Sequence, residues 1–570
     1  MRDHCVIRAV AVCGLLVGLA VLLGPSAAPP PALAAEVKHT VVTDAMLLNA
    51  AKDTKNWLIY GRDYTNQRYS PLSQINTRNV GGMVPRWVFQ TGVIGSFQTV
   101  PIVVNGVMYL TTPYNTAIAV DASTGRQLWR YQHKLGTQIF CCGPNNRGVA
   151  VAYGKVYMGT LDARLVALDQ NTGKVVWDIE IADPEFGHSE TMAPLVYKGK
   201  VIIGISGAEY GIRGFVTAYD ANSGKQLWRW HTIPETGWEG IWAETTPEGT
   251  KLNRNIAAEK AAMAQHADAW KRGGGSMWMT PALDPDLGLL YMAIGNPSPD
   301  LDGSIRPGDN LYTESIVAVE VETGKLRWHY QQVPHDVWDL DAVSPPVLFD
   351  VTVGGKKVKA VGEAGKTGWV YTLDRATGKR IHLSQAFVPQ ENMFAQPTAE
   401  GARMLPGANG GAEWSPMAYS PQTQAVYVLG LHQPMWYKVH SVPWEKGKLW
   451  LGSAFVNIPG EAQSGTFTAI DVNTGKIMWQ NKTEQPLIGG ALATAGGLVF
   501  FGEGNGNFNA LDAKSGKVLW QFQTGAGVNA PPMTYELGGE QFIAVASGGN
   551  FQLGFPYGNS VFVFGLPKKR

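Results

Sequence analysis

Cysteine is scarce in this chain: there are four in 570 residues, and Cys5 and Cys13 both fall in an N-terminal leader. No Cys-x-x-Cys-His occurs, which excludes a covalently attached c-type haem within this sequence. Charge of either sign is also in short supply. Only 16% of the residues are charged and the formal net charge is +1, so nothing suggests binding to nucleic acid or to an anionic lipid surface. Beyond the leader no apolar run approaches the roughly 20 residues of a membrane span, which predicts a mature chain without a transmembrane segment.

Arg2 and Arg8 precede the apolar run Ala9 to Leu23, and Ala32-Leu-Ala34 is a small-x-small processing signal. Residues 1–35 therefore read as a cleaved signal peptide, and the remainder as an exported, periplasmic protein. Its removal takes away two of the 47 basic and one of the 46 acidic residues, leaving the charge balanced. Two cysteines then remain, and they are neighbours: Cys141 and Cys142. In an oxidising compartment they either bridge to each other or stay as two thiols. Consecutive Cα atoms lie about 3.8 Å apart, less than the usual disulfide span, so a bridge here closes a tight, distorted ring.

Glycine (67) and tryptophan (19) are abundant, and they recur together. The stretch Asp471-Val-Asn-Thr-Gly-Lys-Ile-Met-Trp479 is echoed at Asp121 to Trp129, Asp169 to Trp177, Asp220 to Trp228 and Asp512 to Trp520, with degenerate copies at Glu320 to Trp328 and Asp374 to His382. An apolar run ends at the acidic residue, which caps the following backbone; the glycine supplies a positive φ, and Lys-x-x-Trp starts a return strand. Each copy is expected to be a hairpin. An alanine stands two residues before the acidic position in every copy except the one with Thr372, and a large ring beside a small residue predicts that each tryptophan packs over the neighbouring repeat.

Such a period is the mark of a propeller. Pro85-Arg-Trp87-Val-Phe-Gln-Thr-Gly92 matches the tail Trp520-Gln-Phe-Gln-Thr-Gly525, whereas the last strands, near Phe542 to Ala546 and Ser560 to Phe564, have no such tail. The reading is all-β: one eight-bladed β-propeller with tryptophan-docking repeats over 36–570. The N-terminal strand near 50–92 completes the last blade and leaves no open sheet edge. Insertions at 232–272 and 383–412 are expected to decorate one face and build the mouth of a site.

Polar residues stand at strand ends, where a propeller converges on its axis: Ser206-Gly-Ala-Glu209, Gly295-Asn296-Pro297 and Trp338-Asp339-Leu-Asp341. Glu, Asn and Asp together are hard oxygen donors that suit a calcium-like cation rather than zinc. Together with the tryptophan repeats, Cys141-Cys142, Arg147-Gly, Pro334-His-Asp-Val-Trp-Asp339 and Leu492-Ala-Thr-Ala-Gly-Gly497, they resemble the pyrroloquinoline quinone (PQQ)-dependent alcohol dehydrogenases, the methanol and ethanol dehydrogenase family, over residues 50–566.

The resemblance implies a PQQ sandwiched between a Cys141–Cys142 disulfide and Trp278. It places Arg147, Thr191, Ser206, Gly207 and Ala208 on the cofactor's carboxylates and carbonyls, Lys366 against its quinone oxygens, and Trp414 nearby. Glu209 and Asn296 match metal ligands, and Asp339 matches the catalytic base. Many relatives have Glu where this chain has Gln98, and often Trp where it has Ile488. Two residues beyond Asp339 on an extended strand, Asp341 is expected to face the same ion, and an Asp here resembles the lanthanide-dependent branch rather than the Ca²⁺-dependent one. The implied activity is oxidation of primary alcohols to aldehydes, with electrons passed to a c-type cytochrome; a homodimer is left open. A non-catalytic envelope scaffold would have no reason to keep Cys141-Cys142, Glu209, Asn296 and Asp339 together. Lys366 and the Asp-x-Asp pattern also suit a PQQ dehydrogenase for sugars or cyclic polyols, a branch that usually lacks the adjacent cysteines.

Overall fold

The computed structural model describes residues 39–568; the leader expected over 1–35 lies outside the described residues. Each repeat folds as a capped hairpin. Ser464–Asp471 and Ile477–Thr483 pair antiparallel with Ala469 opposite Trp479. Asp471 Oδ1 accepts the Asn473 and Thr474 N–H groups at 3.0 and 2.8 Å and the Thr474 hydroxyl at 2.9 Å. Gly475 takes φ 69°, a turn conformation that is strained for any residue with a Cβ. The inner strand Ser464–Asp471 is buried along most of its length, whereas the outer strand Ile477–Thr483 alternates between half-buried and exposed, as expected where only one face of the outermost strand is covered.

Among the described residues the hairpins belong to seven four-stranded sheets and one five-stranded sheet. They span 102–132, 150–180, 195–231, 282–331, 347–383, 418–483, 492–523 and 533–565, and the last takes its fourth strand from Val84–Gln90, which pairs antiparallel with Ser560–Gly565. Tyr69–Ser70 adds the fifth strand to the 492–523 sheet, parallel to Leu492–Thr494. The N-terminal segment thus ties two sheets from the far end of the sequence.

Consecutive sheets meet through the repeat tryptophans. The indole N–H of Trp87 donates to Ala122 O (3.0 Å), Trp129 to Gln170 O (3.0 Å), Trp228 to Val321 O (3.1 Å) and Trp479 to Ala513 O (3.1 Å). At the degenerate copy His382 Nε2 bonds Val472 O at 2.8 Å. Trp520 donates to Met83 O at 3.0 Å, so the seventh sheet in sequence reaches the N-terminal segment. Apart from Trp520, these indoles lie on the turn glycine of the following repeat: a Cβ at Gly173 would stand 2.6 Å from Trp129, and one at Gly516 2.7 Å from Trp479.

The two expected insertions hold a short helix, Ile256–Ala262, and a strand, Ala402–Met404. A third excursion, between 432 and 464, escaped sequence reading: Met435–Val439 and Ser453–Asn457 join Ala402–Met404 in a separate three-stranded sheet. The excursions touch one another and the chain near the acidic loops. Gln396 Nε2 donates to Leu252 O at 2.7 Å, Trp338 Nε1 to Ala395 O at 2.7 Å, and Trp450 N–H to Glu209 O at 2.6 Å. No helix among the described residues is long and apolar enough to cross a membrane.

Candidate active site

Loops from separate sheets converge on one cavity, partly open to solvent. Its walls carry Cys141, Cys142, Arg147, Thr191, Ser206, Gly207, Glu209, Trp278, Asp339, Asp341 and Lys366, all singled out in the sequence. Asn145, Ser189, Glu413 and Gln552 also line it and were missed. Asn145 lies inside the Cys141 to Arg147 stretch and Glu413 adjoins Trp414, so both had a local signal; Gln552 comes from the last sheet and had none.

Cys141 and Cys142 form a disulfide with Cα atoms 3.8 Å apart, and Cys142 has φ 62°. Asn145 Nδ2 donates to Cys142 O at 2.8 Å, steadying the loop. Arg147 is placed by its backbone N–H on Thr191 O (3.0 Å), and the Thr191 and Ser206 hydroxyls share a hydrogen bond of 3.0 Å. Gly207 has φ 117°, and a Cβ there would collide with Gly187 O, so only glycine admits the turn that presents Glu209. Ala208 N–H caps the same turn by donating to Ser276 Oγ at 3.0 Å.

Asp339 has φ 59°, a left-handed conformation uncommon for a residue with a side chain, of the kind that clusters at functional sites. No strand runs through 338–343, so the extended geometry expected for Asp339 and Asp341 is corrected. Lys366 brings the two carboxylates together instead: its Nζ lies 2.9 Å from Asp339, 3.6 Å from Asp341 and 3.7 Å from Glu413. Gly295 leaves room for this, since a Cβ there would stand 2.6 Å from Asp341 Oδ2. Gln98, Ala208, Asn296 and Trp414 do not line the cavity surface but are buried behind it. Asn296 donates its amide to Pro297 O at 3.1 Å. Arg147 is stacked between two rings, 4.9 Å from Trp278 and 4.7 Å from Trp414.

The electrostatics are one-sided. Burial, with Asp341 adding, pushes Glu209 up to about 7. Burial also raises Asp336 to about 7 and Glu363 to about 8. Asp339 is pushed well up by burial and by Asp300, while Lys366, despite its burial, is held protonated by Asp339, Asp341 and Glu413. Burial lowers Arg147 to about 10.

Several buried polar atoms have no partner in the protein. Arg147 Nε and Nη1 donate to nothing, both amide atoms of Gln98 are unpaired, and Asp341 Oδ1 accepts nothing. Orphaned donors beside the cavity fit a ligand bearing carboxylates and carbonyls, and an excess of carboxylates fits a hard cation. Glu209 lies within 4.8 Å of the cysteine sulfurs, but these are bridged and offer no thiolate, so oxygen donors define the metal chemistry. The donor set therefore suits both PQQ and a Ca²⁺-like or lanthanide ion.

Comparison with known proteins agrees. The family model described as "Glucose/ethanol/alcohol dehydrogenase, beta-propeller domain", with PQQ as its short name, matches residues 57–393 and 456–543. The chain is 36% identical over 540 residues to quinoprotein alcohol dehydrogenase PedH of Pseudomonas putida, covering 90% of each chain. It superposes on the quinohemoprotein alcohol dehydrogenase of Comamonas testosteroni with a TM-score of 0.82 at 33% identity, over 93% of this chain and 83% of that one. A europium-containing methanol dehydrogenase gives a TM-score of 0.81 at 32% identity, over 92% of this chain and 100% of that one. On sequence and architecture alike, the chain belongs to the family of PQQ-dependent alcohol dehydrogenases, as an all-β enzyme with a β-propeller domain.

Proposed function

We propose that the protein is a periplasmic quinoprotein that oxidises primary alcohols to aldehydes at this cavity and passes the electrons to a separate c-type cytochrome. The observation that carries the reading is the convergence of Asp339, Lys366 and Asp341 on the cavity that also holds the disulfide and Trp278. In the same reading the eight large sheets are eight propeller blades locked by tryptophan docking. The absence of a haem-attachment motif in the sequence is what calls for a separate electron carrier.

When bound, PQQ supplies a two-electron acceptor whose reacting carbonyl the metal ion polarises. Cys141–Cys142 and Trp278, which line the cavity, would hold its ring. Arg147, whose Nε and Nη1 are unpaired, would hold its carboxylates, and Gln98 and the Thr191 and Ser206 hydroxyls would add hydrogen bonds. Glu209, Asn296, Asp339 and Asp341 would hold the cation. Asp339 takes the proton of the alcohol hydroxyl as general base. Lys366, 2.9 Å away, orients that carboxylate and stays charged throughout.

The metal follows from Asp341. An additional anionic oxygen offsets the larger dehydration cost of a trivalent ion, and the reward is a stronger Lewis acid. We therefore assign lanthanide dependence. The test is reconstitution of metal-free enzyme with PQQ and either La³⁺ or Ca²⁺, using a dye acceptor and an alcohol panel. Turnover with La³⁺ well above that with Ca²⁺ is expected. No PQQ binding and no alcohol oxidation with either ion would overturn the whole reading; equal activity with both would overturn only the metal.

A further inference from the structure

Between Met435–Val439 and Ser453–Asn457, the segment 440–452 has no regular secondary structure and lies against the turn that presents Glu209. Glu445, Lys446, Lys448 and Leu449 are exposed, whereas Trp450 is buried and Trp444 half-buried. Both tryptophans engage the turn: Trp450 N–H donates to Glu209 O at 2.6 Å and Trp444 Nε1 to Tyr210 O at 2.8 Å. Gly211 fits against both rings, since a Cβ there would stand 2.7 Å from Trp444 and 2.8 Å from Trp450. Trp444 is itself fixed, stacked on Phe186 with centroids 6.1 Å apart and with the Arg272 guanidinium 4.4 Å from its ring. At the far end Leu451 O accepts the Leu301 N–H at 2.7 Å, so the segment also grips the chain that follows Asn296.

The turn needs an outside hold. Ala208–Tyr210 is a single 3-10 turn between Gly207 at φ 117° and Gly211 at φ 72°, closed by Tyr210 N–H to Gly207 O (3.0 Å) and Gly211 N–H to Ala208 O (2.8 Å). A glycine on either side leaves the backbone wide freedom, and a site holds its geometry only when the residues behind it lock its first shell. Beyond the Ala208 N–H on Ser276 Oγ, that lock is the segment 440–452, which takes the carbonyls of both Glu209 and Tyr210.

We propose that Trp444 and Trp450 are positioning residues for the cation: by clamping the Glu209 turn they set ion affinity, and ion binding in return fixes the segment that carries them. Coupling of this kind is reciprocal. The proposal rests on the reading above in which Glu209 is an ion ligand.

The test measures how much chelator strips La³⁺, and in parallel Ca²⁺, from PQQ-loaded wild type, Trp444→Ala, Trp444→Phe and Trp450→Ala, read as metal retained. Loss of a residue that orients a metal ligand typically weakens binding about 10–100-fold, and both alanine variants should fall in that range. Trp444→Phe keeps a ring on Phe186 and Gly211 but loses the Nε1–H bond, so it should fall between Trp444→Ala and wild type. Excess La³⁺ should restore kcat in Trp444→Ala at an unchanged alcohol KM, which a damaged cavity would not allow. Gly516→Ala, destabilising but remote from the turn, should keep wild-type ion affinity. The second arm uses the native sequence: trypsin cleavage after Lys446 and Lys448 of PQQ-loaded wild type should slow when La³⁺ is added, which decides the coupling even where a variant fails to fold. Ion affinity in Trp444→Ala within about twofold of wild type would overturn the proposal, as would an equal loss in Gly516→Ala or cleavage indifferent to the ion. Wild type that holds neither ion would overturn the metal reading and this proposal together; variants that hold the ion as wild type does would overturn the positioning role alone.

Discussion

At the residue scale the roles separate by experiment. Asp339→Asn keeps the side-chain shape and loses the basic oxygen, so kcat should fall by about 10² to 10⁴ while PQQ binding, followed by its absorbance, stays intact. Near-normal turnover would remove Asp339 from the mechanism. The double substitution Cys141→Ala/Cys142→Ala should leave thermal unfolding almost unchanged, because a ring between neighbours constrains the unfolded chain very little. It should weaken PQQ binding, and a fully active double variant would rule out the clamp. Asp341→Ala should lose La³⁺-supported activity more than Ca²⁺-supported activity, measured on the reconstituted enzyme. Much of this was legible because Glu209, Asp339 and the cysteine pair sit in short motifs whose chemistry is local. Gln552 was not, since its place at the cavity comes from loops of different sheets meeting at one place, and no spacing along the chain encodes that meeting.

At the element scale the repeat hairpin makes a sharp demand. Gly516 combines φ 72° with a Cβ position 2.7 Å from Trp479, so Gly516→Ala faces both backbone strain and overpacking. It should cost about 1–3 kcal/mol, read as a lowered Tm without loss of the far-UV spectrum. A second element, the loop leading to the disulfide, is anchored by Asp162, which accepts from His133 Nε2 (2.9 Å), Thr160 Oγ1 (2.6 Å) and Gly136 N–H (3.0 Å). Burial opposes its charge, but these bonds outweigh burial and hold the carboxyl at about 2, below its ordinary value of 3.8. A depressed carboxyl stabilises the fold above its unfolded value, and that contribution disappears as pH falls through the folded one. Asp162→Asn should therefore cost about 2 kcal/mol near neutrality. The gap between variant and wild type should close on acidification toward pH 2, as followed by denaturant titration. The hairpins were readable because turn chemistry lies within nine residues. The excursion at 432–464 was not, because Met435–Val439 pairs with Ala402–Met404 on one side and Ser453–Asn457 on the other, and neither strand carries a repeat signature.

At the scale of the whole molecule, the site is an axis where loops of several sheets meet, so its integrity depends on the ring that gathers them. Ligands that bind only the folded state should raise Tm: PQQ plus La³⁺ at about a thousandfold excess over Kd adds roughly 4 kcal/mol. Asp341→Ala should shrink that shift, and an unchanged shift would show that the ion binds elsewhere. The pairing of Val84–Gln90 with Ser560–Gly565 also has a consequence in time. A chain made from its N-terminus must hold Val84–Gln90 without a partner while about 470 further residues are added, roughly half a minute to a minute and a half of synthesis at about 5–20 residues per second. Tyr69–Ser70 waits in the same way for Leu492–Thr494, but only the Val84–Gln90 seam waits for the last strand. Nascent chains arrested before Ser560 should be cut by protease within 84–90, and finished chains should resist.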